Sequence, residues 1–127
     1  MNVASFCSTD VITADATDTL FEAAQKMARN HVGALAVMDE GHLAGVISEA
    51  DLVAAVAEDA SVFSVAVEDY MTEEPITVEG SDDAGVAARR MVEHGIGHLL
   101  VLDAGSPVGM VSKGDLLAIG AVATPKE

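Results

Sequence analysis

The sequence predicts an α+β fold built from two copies of one β-α-β-β-α unit. Three observations predict it. The 127-residue chain matches itself, without a gap, when shifted by 64 positions, as from Asp18 to Asp82. Each copy carries one stretch of helical apolar spacing between short β-prone runs. Each copy also ends a strand on a serine followed three residues later by an aspartate, an arrangement that starts a helix.

The repeat is dense. Under the shift, Asp18 falls on Asp82, Met27 on Met91, Gly33 on Gly97, Leu35 on Leu99 and Val37 on Val101. Asp39 and Gly41 fall on Asp103 and Gly105. Gly45, Ser48, Asp51 and Leu52 fall on Gly109, Ser112, Asp115 and Leu116. Chance does not align this many positions at one offset, and self-similarity of this kind decides the fold. The copies are residues 1–62 and 63–127. A body of about 60 residues has a marginal core, so the two copies are expected to pack together as one compact module.

Each element has a local reason. Residues 12–14 and 76–78 are short β-prone runs. Thr17 and Ser81 are expected to cap the first helix of each copy, with Asp18, Asp82 and Asp83 in the first turn, where negative charge suits the helix dipole. Leu20, Ala23, Ala24, Met27 and Ala28 form one apolar stripe; Val86, Ala87, Met91 and Val92 form its counterpart. The stretches 31–33 and 95–97 end those helices, because glycine tolerates positive φ. Residues 35–38 and 99–102 are strands, apolar throughout, which predicts a sheet covered on both faces. Turns at 39–42 and 103–106 lead into return strands at 43–47 and 108–111. Second helices follow Ser48 and Ser112 and run to about residues 58 and 121. They carry Leu, Val and Ala on more than one face, which predicts a homodimer through them. Glu73 and Glu74 are expected in a solvated loop.

Composition removes several function classes. Twenty-one acids face six bases, a net charge of −15. Nucleic acids and anionic membranes call for clusters of Lys and Arg, and only Arg89 and Arg90 adjoin. No apolar run approaches the roughly 18 residues of a spanning helix, and no basic segment precedes an apolar one at the start. A single cysteine, Cys7, excludes an internal disulfide and fits a cytoplasmic setting. Acids spread along the whole chain fit either a high-salt cytosol, where mobile ions screen self-repulsion, or an ordinary acidic protein kept soluble by charge.

The strongest local signal is Gly45-Val46-Ile47-Ser48-Glu49-Ala50-Asp51, repeated as Gly109-Met110-Val111-Ser112-Lys113-Gly114-Asp115. Two readings fit it. Serine and aspartate can form a capping box, each satisfying the other's backbone amide. The same geometry offers free helix amides to a phosphate and a carboxylate to a ribose. Together with Val32-Gly33-Ala34-Leu35-Ala36-Val37-Met38-Asp39 and Ile96-Gly97-His98-Leu99-Leu100-Val101-Leu102-Asp103, and with the run from Val67 to Thr77, these segments resemble the tandem CBS domain named after cystathionine β-synthase. The resemblance spans nearly the whole chain.

That resemblance implies two repeats packed about a pseudo-twofold axis, with clefts that take AMP, ADP, ATP, S-adenosylmethionine or related adenosine compounds. It implies Ser48 and Asp51 for one cleft and Ser112 and Asp115 for the other. Thr13 and Thr77 match cleft-lining positions; Gly33 and Ala34, and Gly97 and His98, match the segments beside the base. Lys113 follows Ser112 where Glu49 follows Ser48, so an anionic phosphate is expected to prefer the second. The implied role is regulatory, exerted in trans on a protein partner, with no required cofactor and no catalysis. The competing reading is a scaffold in which both serines act only as helix caps.

Other residues carry less. His94 and His98 have a helical metal-ligand spacing, but Gly95 and Gly97 between them argue against a helix there. Cys7 has no neighbouring His-Asp arrangement and reads as a small core residue.

Overall fold

The computed structural model describes residues 1–123. Strand β1 (Thr13–Asp15), helix α1 (Leu20–Asn30), strands β2 (Ala34–Asp39) and β3 (His42–Ser48), and helix α2 (Glu49–Ala57) come first. Strands β4 (Thr72–Glu73) and β5 (Thr77–Glu79), helix α3 (Ala84–His94), strands β6 (His98–Asp103) and β7 (Ser106–Ser112), and helix α4 (Lys113–Ala123) follow. Single 3-10 turns at Val3–Ser5 and Val67–Asp69 precede each set. The α+β class and the repeated order of elements are as the sequence predicts.

The sequence repeats and the packing units differ. One compact unit is Ile12–Pro75; the other joins Met1–Val11 to the chain from Ile76 onward. Each unit therefore contains the lead-in segment of the other sequence repeat. Val67 is fully buried in the core of the first unit, with Leu20, Ala23, Met27, Leu35, Val37 and Ile47. Val3, its counterpart 64 positions earlier, is fully buried in the second, with Ala87, Met91, Leu99, Val101 and Val111. Each such valine contributes about 1.5–3 kcal/mol.

The sheets carry the same exchange. In one unit the order is β1-β2-β3-β4, in the other β5-β6-β7. Strands β1 and β2 run parallel, as do β5 and β6, while β2–β3 and β6–β7 are hairpins. The hairpins turn at Glu40-Gly41 and Ala104-Gly105, all four with positive φ, the backbone that matches strand twist in a two-residue loop. Glu73, expected in a loop, instead pairs with Gly45, and Thr72 pairs with Val46. The equivalent contact in the second unit is the Ser8–Met110 bridge.

Both glycines that begin the serine-aspartate motif owe their identity to these crossings. A Cβ on Gly45 would collide with the Thr72 carbonyl oxygen. One on Gly109 would stand 2.6 Å from the Ser8 carbonyl oxygen and 2.8 Å from Cys7 Sγ.

Two local expectations are corrected. Helix α1 is capped by Thr19, not Thr17: Thr19 accepts from the Glu22 amide, and the Glu22 carboxylate accepts from the Thr19 amide at 2.8 Å. Helix α3 is capped by Asp83, which accepts from the Gly85 amide at 3.1 Å, not by Ser81. The reason is a tight turn before each helix. Asp18 and Asp82 accept from the amides of Asp15 and Glu79, both at 2.9 Å, so the helix begins two residues later. At the other end, His31 rather than Gly33 takes the left-handed conformation that closes α1, while Gly95 closes α3. Val92, expected on the apolar stripe of α3, is 82% exposed.

Candidate functional site

The candidate residues gather at the ends of the hairpins. In the second unit His98 pairs with Ser112 across β6 and β7. The Lys113 amide donates to the Gly97 carbonyl at 2.8 Å. Gly97, His98, Ser112 and Lys113 are thereby brought together, and Asp115 joins them from the first turn of α4. In the first unit Ala34 pairs with Ser48 and the Glu49 amide donates to the Gly33 carbonyl at 3.0 Å.

Strand alternation fixes the face. Val78, Leu99, Val101 and Val111 lie in the core against Ala87 and Met91 of α3. Side chains alternate across a strand, so Thr77, His98 and Ser112 share the opposite face of the sheet. Thr13, Ala34 and Ser48 share the equivalent face of the other sheet. Thr77 pairs with Leu100, two positions along β6 from His98; Thr13 pairs with Ala36.

Serine and aspartate form a capping box in both units. The Ser48 amide donates to Asp51 Oδ2 at 2.8 Å, and the Asp51 amide to Ser48 Oγ at 3.4 Å. The Ser112 amide donates to Asp115 Oδ2 at 2.9 Å, and the Asp115 amide to Ser112 Oγ at 3.1 Å. The capping reading is thus real, and it does not exclude the other. Each aspartate uses Oδ2, and among the described residues Oδ1 of neither makes a hydrogen bond. A half-buried carboxylate held rigid by its own helix, with one oxygen open, is an acceptor ready for a hydroxyl pair.

A second repeated arrangement escaped the sequence reading. Lys26 Nζ donates to the Thr13 carbonyl at 2.8 Å and pairs with Asp18 at 3.6 Å. Arg90, at the equivalent place, donates to the Thr77 carbonyl at 2.6 Å and pairs with Asp82 at 3.8 Å. Each cation ties the first strand to its helix. The signal was present: Lys26 and Arg90 are basic, in an acid-rich chain, at the same offset as Asp18 and Asp82.

The two sites differ in charge. Glu49 and Lys113 are both exposed first residues of their helices. Lys113 Cε would lie 3.7 Å from a Cβ on Gly97, so its stem runs along that glycine. Glu49 lines an open groove of about 510 Å³ with Gly33, His31 and Leu52.

His94 closes α3 and His98 opens β6, which takes them off a shared helix face; no group of three or more His, Cys, Asp or Glu fit for a metal lies among the described residues. Burial pushes the half-buried Cys7 thiol up, and the Asp115 carboxylate adds to the rise. Cys7 Sγ lies 2.8 Å from where a Cβ on Gly109 would stand, an adjacency to the start of the second motif that the sequence did not announce. No helix of the described residues is long and apolar enough to cross a membrane.

Comparison with known proteins matches the repeat and the fold. The family model described as the CBS domain matches residues 3–58 and 67–121. An uncharacterized protein of Methanopyrus kandleri is 33% identical over 122 residues, covering 94% of this chain and 62% of its own length. The chain thus spans about six tenths of that relative. The CBS domain protein PAE2072 from Pyrobaculum aerophilum, solved in complex with AMP, is similar with a TM-score of 0.86 at 26% identity, covering 96% of this chain and 99% of that one. The CBS domain pair of protein MJ0100, solved with 5′-methylthioadenosine and S-adenosyl-L-methionine, gives 0.89 at 25% identity and 98% coverage of both chains.

Proposed function

The chain belongs to the CBS domain family, and from that premise we propose that it is a regulatory module that binds an adenine nucleotide or related adenosine compound and acts in trans on a protein partner. The observation that carries the proposal is the duplicated site: a helix N-terminus, a serine hydroxyl and an aspartate whose Oδ1 has no hydrogen bond among the described residues, once at Ser48–Asp51 and once at Ser112–Asp115. The amides of residues 49, 51, 113 and 115 already bond to Gly33, Ser48, Gly97 and Ser112, so the amide of Ala50 or Gly114 is the one that suits a phosphate. The aspartate suits ribose hydroxyls. The structural relatives solved with AMP and with S-adenosyl-L-methionine support an adenosine ligand. Thr77, Gly97, His98 and Lys113 complete one site; Thr13, Gly33 and Ala34 complete the other. A ligand shifts the population of conformers by its differential affinity for them, with no catalytic step and no required cofactor.

Calorimetry with AMP, ADP, ATP and S-adenosylmethionine tests this. Asp115→Ala is expected to remove about 1.5–3 kcal/mol of AMP binding, the usual worth of a hydrogen bond to a charged group, and Asp51→Ala less. Unchanged AMP binding in both variants would defeat the assignment. The complete capping boxes favour a second reading, a ligand-free interaction scaffold. It predicts loss of helix stability in these variants and no heat of binding from any adenosine compound.

Assembly and setting belong to the same proposal. Val53 and Val56 of α2 and Leu117 of α4 are 65–68% exposed, and we place a homodimer contact there; light scattering showing only the 13.0 kDa chain would remove it. The acid excess we assign to a high-salt cytoplasm, to be checked by a melting temperature that climbs with KCl.

A further inference from the structure

We infer that the two sites are tuned to ligands of opposite charge. The Ser112–Lys113–Asp115 segment takes an adenosine compound with an anionic 5′ group, and Ser48–Glu49–Asp51 takes one whose 5′ group is neutral or cationic. The inference rests on the adenosine reading above and goes beyond it by assigning a ligand class to each site.

The two sites are built on closely similar scaffolds. Both sites offer a serine N-cap and an aspartate locked by the serine amide, at 2.8 and 2.9 Å. Both tie the first residue of the helix to a glycine carbonyl, Gly33 or Gly97, at 3.0 and 2.8 Å. Both place one cation on the carbonyl of the first-strand threonine, Lys26 on Thr13 and Arg90 on Thr77. These shared features cancel. What remains is a carboxylate beside the serine in one site and an ammonium in the other, with Ala34 across the strand pair in the first and His98 in the second.

Neither group is diverted. Among the described residues, neither Glu49 nor Lys113 takes part in an ion pair. The Lys113 stem packs along Gly97, so its charge stays near the strand-to-helix junction. Glu49 lines the groove beside Gly33, the equivalent glycine. The remaining field is strongly negative, −15 over the whole chain, so an anionic ligand is repelled everywhere except where a cation stands beside the amides. A sulfonium or an uncharged thioether meets no such penalty beside Glu49.

The size of the effect follows from Coulomb's law. One charge roughly 6 Å from another changes affinity about three-fold in water-like surroundings. Both side chains are exposed, so that end of the scale applies, and reversing a charge rather than removing it squares the factor to about ten-fold. The effect shrinks as salt shortens the screening length to about 8 Å and below. The module would then report two adenosine metabolites at once, a phosphorylated one and a neutral or sulfonium one.

Amide NMR titration of the whole chain tests this at low salt, with AMP, adenosine and S-adenosylmethionine as probes and the amides of residues 49 and 113 as site reporters. AMP is expected to shift the residue 113 amide at lower concentration than that of residue 49, and S-adenosylmethionine to do the reverse. In Lys113→Glu the ratio of AMP to adenosine affinity at the second site should fall about ten-fold. In Glu49→Lys the first site should gain AMP and lose S-adenosylmethionine by a similar factor. If adenosine binds but both charged ligands fill the sites in the same order, or the swaps move the ratios less than two-fold, the charge partition is overturned and the adenosine reading stands. If no probe shifts either amide in the unaltered chain, the adenosine reading fails and the partition fails with it.

Discussion

The two packing units are built to one plan and differ in how firmly the plan is executed. In the unit Ile12–Pro75 the crossing segment forms strand β4 and pairs at two positions, Thr72 with Val46 and Glu73 with Gly45. In the other unit the crossing is one bridge, Ser8 to Met110, with reciprocal 2.9 Å hydrogen bonds. Helix α1 starts on a reciprocal capping box, whereas α3 starts on a single bond from Gly85 to Asp83. Duplication kept the core positions, Val3 with Val67 and Met27 with Met91. It relaxed the edges and caps, where each substitution costs only about 1 kcal/mol.

The largest expected effect tests the crossing itself. Gly45→Val and Gly109→Val each push a side chain into backbone that has no freedom to yield without breaking the pairing. Overpacking of this kind typically costs about 1–3 kcal/mol, with lost ladder bonds added. Gly45→Val is expected to be the worse. Its Cβ makes the closer approach to a carbonyl oxygen, and two residue pairs depend on it rather than one. Thermal unfolding of the two variants should show drops of several degrees, greater at residue 45. A larger drop at residue 109 would reverse the ranking of the two edges.

Such crossings mark where sequence reading stops. The offset of 64 made the repeat, the hairpins and the helix starts at Ser48 and Ser112 legible, because each depends on residues close in sequence. It could not say which lead-in segment packs where. Val3 and Val67 are the same residue at equivalent positions, and only the folded chain distinguishes exchange from self-packing. The candidate site was legible in its serines and aspartates for the same local reason. Lys26 and Arg90 stood out at the shared offset, but their targets, the carbonyls of Thr13 and Thr77 thirteen residues away, did not. The misplaced cap at Thr17 is different in kind. Thr19 followed by Glu22 is a capping-box spacing, and that signal lay in the sequence.

A smaller effect sharpens the comparison of caps. Thr19→Ala removes the acceptor for the Glu22 amide and loosens the glutamate that caps Thr19 in return. The expected loss is about 1 kcal/mol. Ser48→Ala and Ser112→Ala should cost about as much as one another, since both boxes hold the serine amide on Oδ2 at 2.8–2.9 Å, and the longer 3.4 Å amide bond to Ser48 is offset by its hydroxyl bond to Asp51. Matching losses in urea denaturation would show that the two candidate sites are equally preorganised, leaving Glu49 and Lys113 to account for any difference in ligand choice. A loss at Ser48 more than twice that at Ser112 would place the difference in the scaffold instead.

The smallest effect is in the turn before α1. Asp15 accepts from the Thr17 hydroxyl and from the Thr17 amide, the latter at 3.0 Å. The hydroxyl bond first, and the amide bond next, hold its carboxyl below the ordinary aspartate range. The equivalent residues, Glu79 and Ser81, make no such bond among the described residues. A carboxyl with a lowered folded pKa stabilises the fold above its unfolded value and loses that contribution as pH falls through the folded value. Thr17→Val keeps the shape and deletes the hydroxyl. The Asp15 titration midpoint, followed by side-chain NMR, should rise toward the usual range. The variant should be slightly less stable at neutral pH and converge with the parent once the solution is more acidic than the folded midpoint. The group is fully exposed, so the stability change is small and the NMR midpoint is the sensitive readout. Ser81→Ala, the matching change in the other unit, should move no carboxylate at all. An unchanged Asp15 midpoint in Thr17→Val would show that the backbone amide alone holds the charge, and that the two turns differ less than their side chains suggest.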